Sequence, residues 1–170
     1  MDIRAHLLTE HSKAVTDSIV HCIRENPDKL DELMVCFFDQ NLRICQRAAW
    51  SVGILGEKNP EMMYPYLPEM INYLQNPTHD AIIRNTVRTW QSMKIPEEYQ
   101  GEIFEICFRY IIQPKFPAAV RAFSMTVCAK IAKEIPELKE ELILAISDQL
   151  EFGSSGIINR GNKMIKELSR

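Results

Sequence analysis

The sequence predicts an all-α fold: about four stacked helical hairpins, preceded by one or two N-terminal helices. Three observations carry that expectation. A proline-centred tetrapeptide recurs as ENPD (25–28), KNPE (58–61), KIPE (94–97) and EIPE (134–137); its prolines, Pro27, Pro60, Pro96 and Pro136, are spaced by 33, 36 and 40 residues. An arginine recurs between the prolines, as Arg47, Arg84, Arg121 and Arg160, spaced by 37, 37 and 39. No segment shows the sustained alternation of a strand. Self-similarity at such a period marks stacked repeats.

The elements follow in order. Residues 3–25 read as one or two helices, and the hairpins cover roughly 27–58, 60–94, 96–134 and 136–169 within a single domain of residues 1–170. Each proline suits a first helical position, because it lacks an N–H and has a fixed φ. The acid after it favours the positive end of the helix dipole. Asn26 and Asn59 are expected to cap the helices that follow them. A breaker precedes each arginine: DQN (39–41), NPTHD (76–80), QPKFP (113–117) and GSSG (153–156). Breakers at matched phase are turns. The Arg121 helix, AAVRAFSMTVCAKIA, is apolar almost all round and should be covered on both sides. In the last helix Ile157, Ile158, Gly161, Met164, Ile165 and Leu168 share one face, and Arg160, Lys163, Lys166, Glu167 and Arg170 the other. One apolar and one wet face suit the end of a stack.

Composition narrows the function classes. A chain of 170 residues with 46% hydrophobic and 25% charged residues sits in the ordinary globular range. The N-terminal stretch MDIRAHLLTEHSK has no apolar core for a signal peptide, and no apolar run approaches a membrane span. Five scattered cysteines (22, 36, 45, 107, 128) without a C-x-x-C read as reduced, buried thiols of a cytoplasmic protein. The four histidines (6, 11, 21, 79) show no H-E-x-x-H spacing, so no metal site is expected. Neither phosphate-binding glycine motif occurs, so no cofactor is expected. A net charge of -3 argues against nucleic acid as the default partner.

That small net charge hides a division. The Arg-marked helices carry +2 (41–58), +2 (80–94), +2 (118–134) and +3 (156–170), together +9. The proline-started segments carry -3 (27–40), -2 (59–79), -2 (95–117) and -4 (135–155), together -11. In a hairpin solenoid equivalent helices stack side by side, and the second helices typically line the concave side. The basic set then forms one layer. Two readings are open: charges that pair between layers or solvate each helix, and a groove for an acidic segment of a partner protein. Arg43, Arg47, Trp50 and Ile54 share one stripe, opposite the better core face of Cys45, Ala48, Ala49, Val52 and Leu55. Trp and Arg are favoured interface anchors. Arg84 and Arg88 extend the strip, and Arg121 continues the series, whereas Trp90 should face the core with Val87 and Ile83. Whether the arginines form a binding face or a structural ladder is open at this level.

The stretch DQNLRICQRAAWSVGILGEKNP resembles the HEAT-repeat family of α-solenoids, which places an acid in the turn and an arginine before small residues in the second helix. Asp39, Arg43 or Arg47, Ala48, Ala49, Leu55 and Gly56 match. HDAIIRNTVRTWQSM and PAAVRAFSMTVCAKIAKEIP match more loosely. The resemblance implies a right-handed α–α superhelix and a non-catalytic scaffold for protein partners. A few members of that family bind nucleic acid, the HEAT-like DNA glycosylases among them, and that is an alternative. The turn acid is present as Asp39 and Asp80 but missing before Arg121 and Arg160, so no continuous Asp–Arg ladder is expected.

The stretch GSSGIINRGN (153–162) also resembles the signature loop of the fumarase/aspartase superfamily, which includes adenylosuccinate lyase. Gly153, Ser154, Ser155 and Asn162 match, and Arg160 stands where that loop has a lysine. The resemblance implies a lyase with Ser154 (or Ser155) as general base and Arg160 and Asn162 holding a substrate carboxylate. Three features favour a turn instead. The chain is far shorter than those enzymes, Ile157 and Ile158 begin an apolar stripe, and GSSG shares the phase of the other turns. Glycine and serine are what a turn and a helix cap require in any case.

Overall fold

The computed structural model describes all 170 residues, and they form ten α-helices joined by turns and short 3₁₀ segments, with no strand. Contacts divide the chain into two compact units, Met1–Met93 and Lys94–Arg170.

The first unit holds α1 (Ile3–Thr9), α2 (Lys13–Glu25), α3 (Leu30–Phe37), α4 (Leu42–Lys58), α5 (Leu67–Tyr73) and α6 (Asp80–Ser92). Successive helices pair as α1/α2 and α3/α4, and a 3₁₀ stretch Pro60–Tyr66 leads through α5 to α6. α2, α4 and α6 stack in one layer, while α1 and α3 pack side by side in the other. The outer layer is stitched at a constant interval of 35 residues: Arg4 to Asp39, the Tyr66 hydroxyl to Asp31, and the Tyr73 hydroxyl to the Phe38 carbonyl. Ile19, Ile23, Leu33, Phe37, Ile44, Met63 and Trp90 fill the core.

The second unit holds α7 (Glu97–Ile112), α8 (Ala118–Glu134), α9 (Lys139–Asp148) and α10 (Ser155–Leu168). α8 is gripped between α7 and α10, with α9 against its end. This covering on both sides is what its nearly all-round apolar sequence requires. Cys107 and Cys128 are both fully buried there, and the Cys128 thiol reaches the Phe104 carbonyl at 3.7 Å. Burial, reinforced by the neighbouring Cys107 thiol, pushes Cys128 well above the ordinary thiol range. All five cysteines are free thiols, and four are buried.

The prolines act on both sides of themselves. The residue before a proline is driven out of the helical region. Asn26, Asn59 and Ile135 accordingly have φ near -130° and ψ of 80°, 63° and 83°, which ends α2, α4 and α8. Pro27, Pro60 and Pro136 then open 3₁₀ turns rather than α-helices, and Pro96 sits one step earlier, as the N-cap of α7. Asn26 and Asn59 do not cap the following helix. Their backbone N–H groups close the preceding one, on the Cys22 and Leu55 carbonyls, and the N–H groups of Lys29 and Met62 in the 3₁₀ turns go to the Asn26 and Asn59 carbonyls instead of their side chains. Capping side chains occur elsewhere: Asp2, Ser12, Asn41 and His79 accept from backbone N–H groups of α1, α2, α4 and α6.

Candidate functional site

The candidate face lies in the first unit, on α4 and α6. Asn41 starts α4 by accepting from the N–H groups of Arg43 and Ile44. One side of α4 is then fully buried at Cys45, Ala48, Ala49, Val52 and Leu55. Two glycines let α6 approach closely. A Cβ at Gly53 would fall 2.2 Å from Asn85 Oδ1, and one at Gly56 would fall 2.4 Å from Thr89 Cγ2. Gly53 therefore faces Asn85 and Gly56 faces Thr89. The same register puts Arg84 at the level of Val52, between half-buried Trp50 and Ile54 in height along α4.

The arginines of this face have separate fates. Arg43 and Arg84 are exposed and form no ion pair. Arg47 is half-buried and its Nη1 donates to the Leu7 carbonyl of α1 at 2.6 Å. That carbonyl lies in the last turn of α1, where no intrahelical donor is available. Arg88 is half-buried and pairs with Glu57 of α4. Trp50 is half-buried and meets His11 edge-on at 5.4 Å. Trp90 is fully buried with Val87. The solvent-facing anchors are thus Arg43, Arg84 and the open side of Trp50.

In the second unit the two repeat-marking arginines, Arg121 and Arg160, turn inward. Arg121 is 9% exposed; its Nε donates to the Ile111 carbonyl at 3.2 Å and its Nη2 to Gln149 Oε1 at 2.6 Å. Burial pulls its guanidinium below the usual arginine range. Arg121 is therefore no part of an exposed binding strip, contrary to the expectation from its spacing. The apolar breadth of α8 draws the whole helix inside and carries the arginine with it. Arg160 is half-buried and donates to Thr126 Oγ1 and, at 3.4 Å, to the Ala122 carbonyl.

The residues of the lyase resemblance are spread along one turn and one helix. Ser154 takes the N-cap position of α10 with no side-chain bond, Ser155 is the first helical residue, and both are exposed. Asn162 is exposed, while the Arg160 guanidinium is occupied by α8.

Stacked hairpins with an arginine recurring in the second helix of each point to one architecture, and comparison with protein families decides it. A family model described as a HEAT repeat domain matches residues 3–167. The chain belongs to the HEAT-repeat family. No curated protein and no solved structure matches it. Its HEAT repeats form a helical scaffold of a kind that generally mediates protein interactions.

Asp39, the turn acid of the HEAT pattern, does not pair with Arg43 or Arg47. It accepts from Arg4 of α1 and from the Asn41 N–H, and these bonds hold its carboxyl below the ordinary range. The other acid, Asp80, forms no ion pair. Successive HEAT repeats are joined instead by arginine-to-carbonyl bonds and by ion pairs along the basic layer, Arg88–Glu57 and Lys133–Glu167. Neither of those pairs links the basic layer to the acidic one. No group of three or more His, Cys, Asp or Glu is placed to hold a metal ion. No helix is long and apolar enough to cross a membrane.

Proposed function

We propose that this HEAT-repeat protein is a non-catalytic docking module whose α4–α6 face takes an acidic segment of a partner protein. One observation carries the reading. Arg47, Arg88, Arg121 and Arg160 are committed to partners within the chain, whereas Arg43 and Arg84 stand unpaired in solvent on the two helices that carry and flank half-buried Trp50. A cation with an internal partner gives little to a ligand. Two free guanidinium groups with an aromatic ledge offer charge for carboxylates and an apolar surface for an anchoring side chain. Catalysis at the 153–162 turn has no comparable support, because Arg160 is engaged with Thr126 and the serines lie in open solvent.

The test is fluorescence anisotropy of a labelled Glu/Asp-rich peptide with one leucine or phenylalanine anchor. Saturable binding that weakens at least tenfold in the Arg43→Glu/Arg84→Glu variant is expected. Equal binding by the variant contradicts the reading. Purified protein should release no fumarate from adenylosuccinate or argininosuccinate; release that disappears on Ser154→Ala would restore the lyase alternative.

A further inference from the structure

The second unit carries a surface of the chemistry that the α4–α6 face would accept. α9 turns Glu141, Leu144 and Asp148 to solvent, at steps of 3 and 4, and Phe152 follows four residues later in the turn to α10. The first three share one face of α9, and Phe152 lies just beyond the end of that helix. Leu144 is 64% exposed and Phe152 is 89% exposed, two of the three largest exposures among the bulky apolar side chains, with Val35 at 68%. The flanking acids Glu141 and Asp148 form no ion pair. The stripe alternates acid and apolar side chains, and its own unit covers none of them.

The face on α4 and α6 is the opposite in charge and similar in apolar content. Arg43 and Arg84 are free, Leu42, next to Arg43 in the first turn of α4, is 56% exposed, and Trp50 is half-buried. We infer that the partner segment is the α9 stripe of a second copy of this chain, docked through Glu141 and Asp148 on Arg43 and Arg84, with Leu144 and Phe152 beside Leu42 and Trp50. The inference rests on the reading of the α4–α6 face given above. It adds the identity of the occupant. Charge complementarity selects the pairing and sets its salt dependence, while burial of Leu144 and Phe152 drives it. The two surfaces differ, so the contact is heterologous: each copy offers one donor and one acceptor surface.

Sedimentation equilibrium of the full chain tests this. The mass should rise with protein concentration above the 19.7 kDa of one chain, and it should fall back as salt is raised well beyond physiological ionic strength. Two variants separate the surfaces: Leu144→Gln/Phe152→Ser removes the stripe, and Arg43→Glu/Arg84→Glu removes the face. All four positions are exposed, so both should melt like the parent. Each alone should be monomeric. An equimolar mixture should form a one-to-one dimer, because one copy keeps the stripe and the other keeps the face. A parent chain monomeric at every concentration, a single variant that still associates, or a mixture that stays monomeric overturns the inference. If self-association fails but the acidic peptide still binds in an Arg43- and Arg84-dependent way, only the occupant is wrong. Loss of both removes the underlying reading as well.

Discussion

Arg47 of α4 donates to the carbonyl oxygen of Leu7 at 2.6 Å, tying the second hairpin to the end of the first helix. This bond separates arginines that hold the repeats together from arginines that face outward. Arg47→Met should lower stability by about 1–3 kcal/mol, since it removes a charge-assisted bond and leaves a carbonyl short of a donor. Arg121→Met should cost a similar amount by stranding Ile111 and Gln149. Arg43→Glu and Arg84→Glu should each change it by less than about 0.5 kcal/mol. Urea denaturation of the four single variants measures the contrast.

Two glycines in helices should respond in opposite directions to alanine. At Gly56 a Cβ would press on Thr89, a buried β-branched residue with little freedom to move. Gly56→Ala should destabilise by about 1–3 kcal/mol as α4 and α6 are forced apart. Gly101 lies exposed in α7 with nothing within 4 Å of its would-be Cβ, and no glycine has a positive φ. Gly101→Ala should stabilise by about 0.5–1 kcal/mol through helix propensity. Thermal melts of both variants check the sign, at roughly 2–4 °C per kcal/mol for a chain of this size.

The Arg4–Asp39 pair predicts a pH effect. Arg4 and the Asn41 N–H hold the Asp39 carboxyl below its ordinary value in the folded state. The folded chain then binds fewer protons here than the unfolded chain, so this contribution favours folding above the ordinary aspartate range near about 4. It is lost as pH falls through the depressed folded value. Glu167, lowered by Lys133, acts in the same direction. Melting temperature followed from neutral to acid pH should fall less steeply for Arg4→Gln than for the parent. Parallel acid limbs would show that the pair contributes nothing.

Much of the architecture was legible because proline and arginine each carry a local rule. A proline forbids helix at the residue before it, so Pro27, Pro60 and Pro136 marked the helix ends that Asn26, Asn59 and Ile135 now make. The stripe Cys45, Ala48, Ala49, Val52 and Leu55 was legible from helical period alone. The fate of each arginine was not. Spacing treats Arg84 and Arg121 alike, yet one is exposed and the other is buried against Ile111 and Gln149. Period gives the angle of a side chain around its own helix; it does not give the depth of that helix in the stack. The apolar sequence around Arg121 was the available signal for depth. The Arg4, Tyr66 and Tyr73 bonds had a signal too, the shared 35-residue interval to Asp39, Asp31 and Phe38, but it joins unlike residues and so escapes a search for repeated motifs.

The two tryptophans allow a direct test of the docking face, because Trp50 is only half-buried and Trp90 is fully buried. At protein concentrations low enough to keep the chain monomeric, an acidic peptide without aromatic residues is titrated while tryptophan emission and acrylamide quenching are followed. A saturable change in emission and protection of the quenchable fraction are expected, both absent in Trp50→Phe and in Arg43→Glu/Arg84→Glu. Peptide binding that saturates by anisotropy while Trp50 remains fully quenchable would contradict that expectation and put the binding surface elsewhere on the chain.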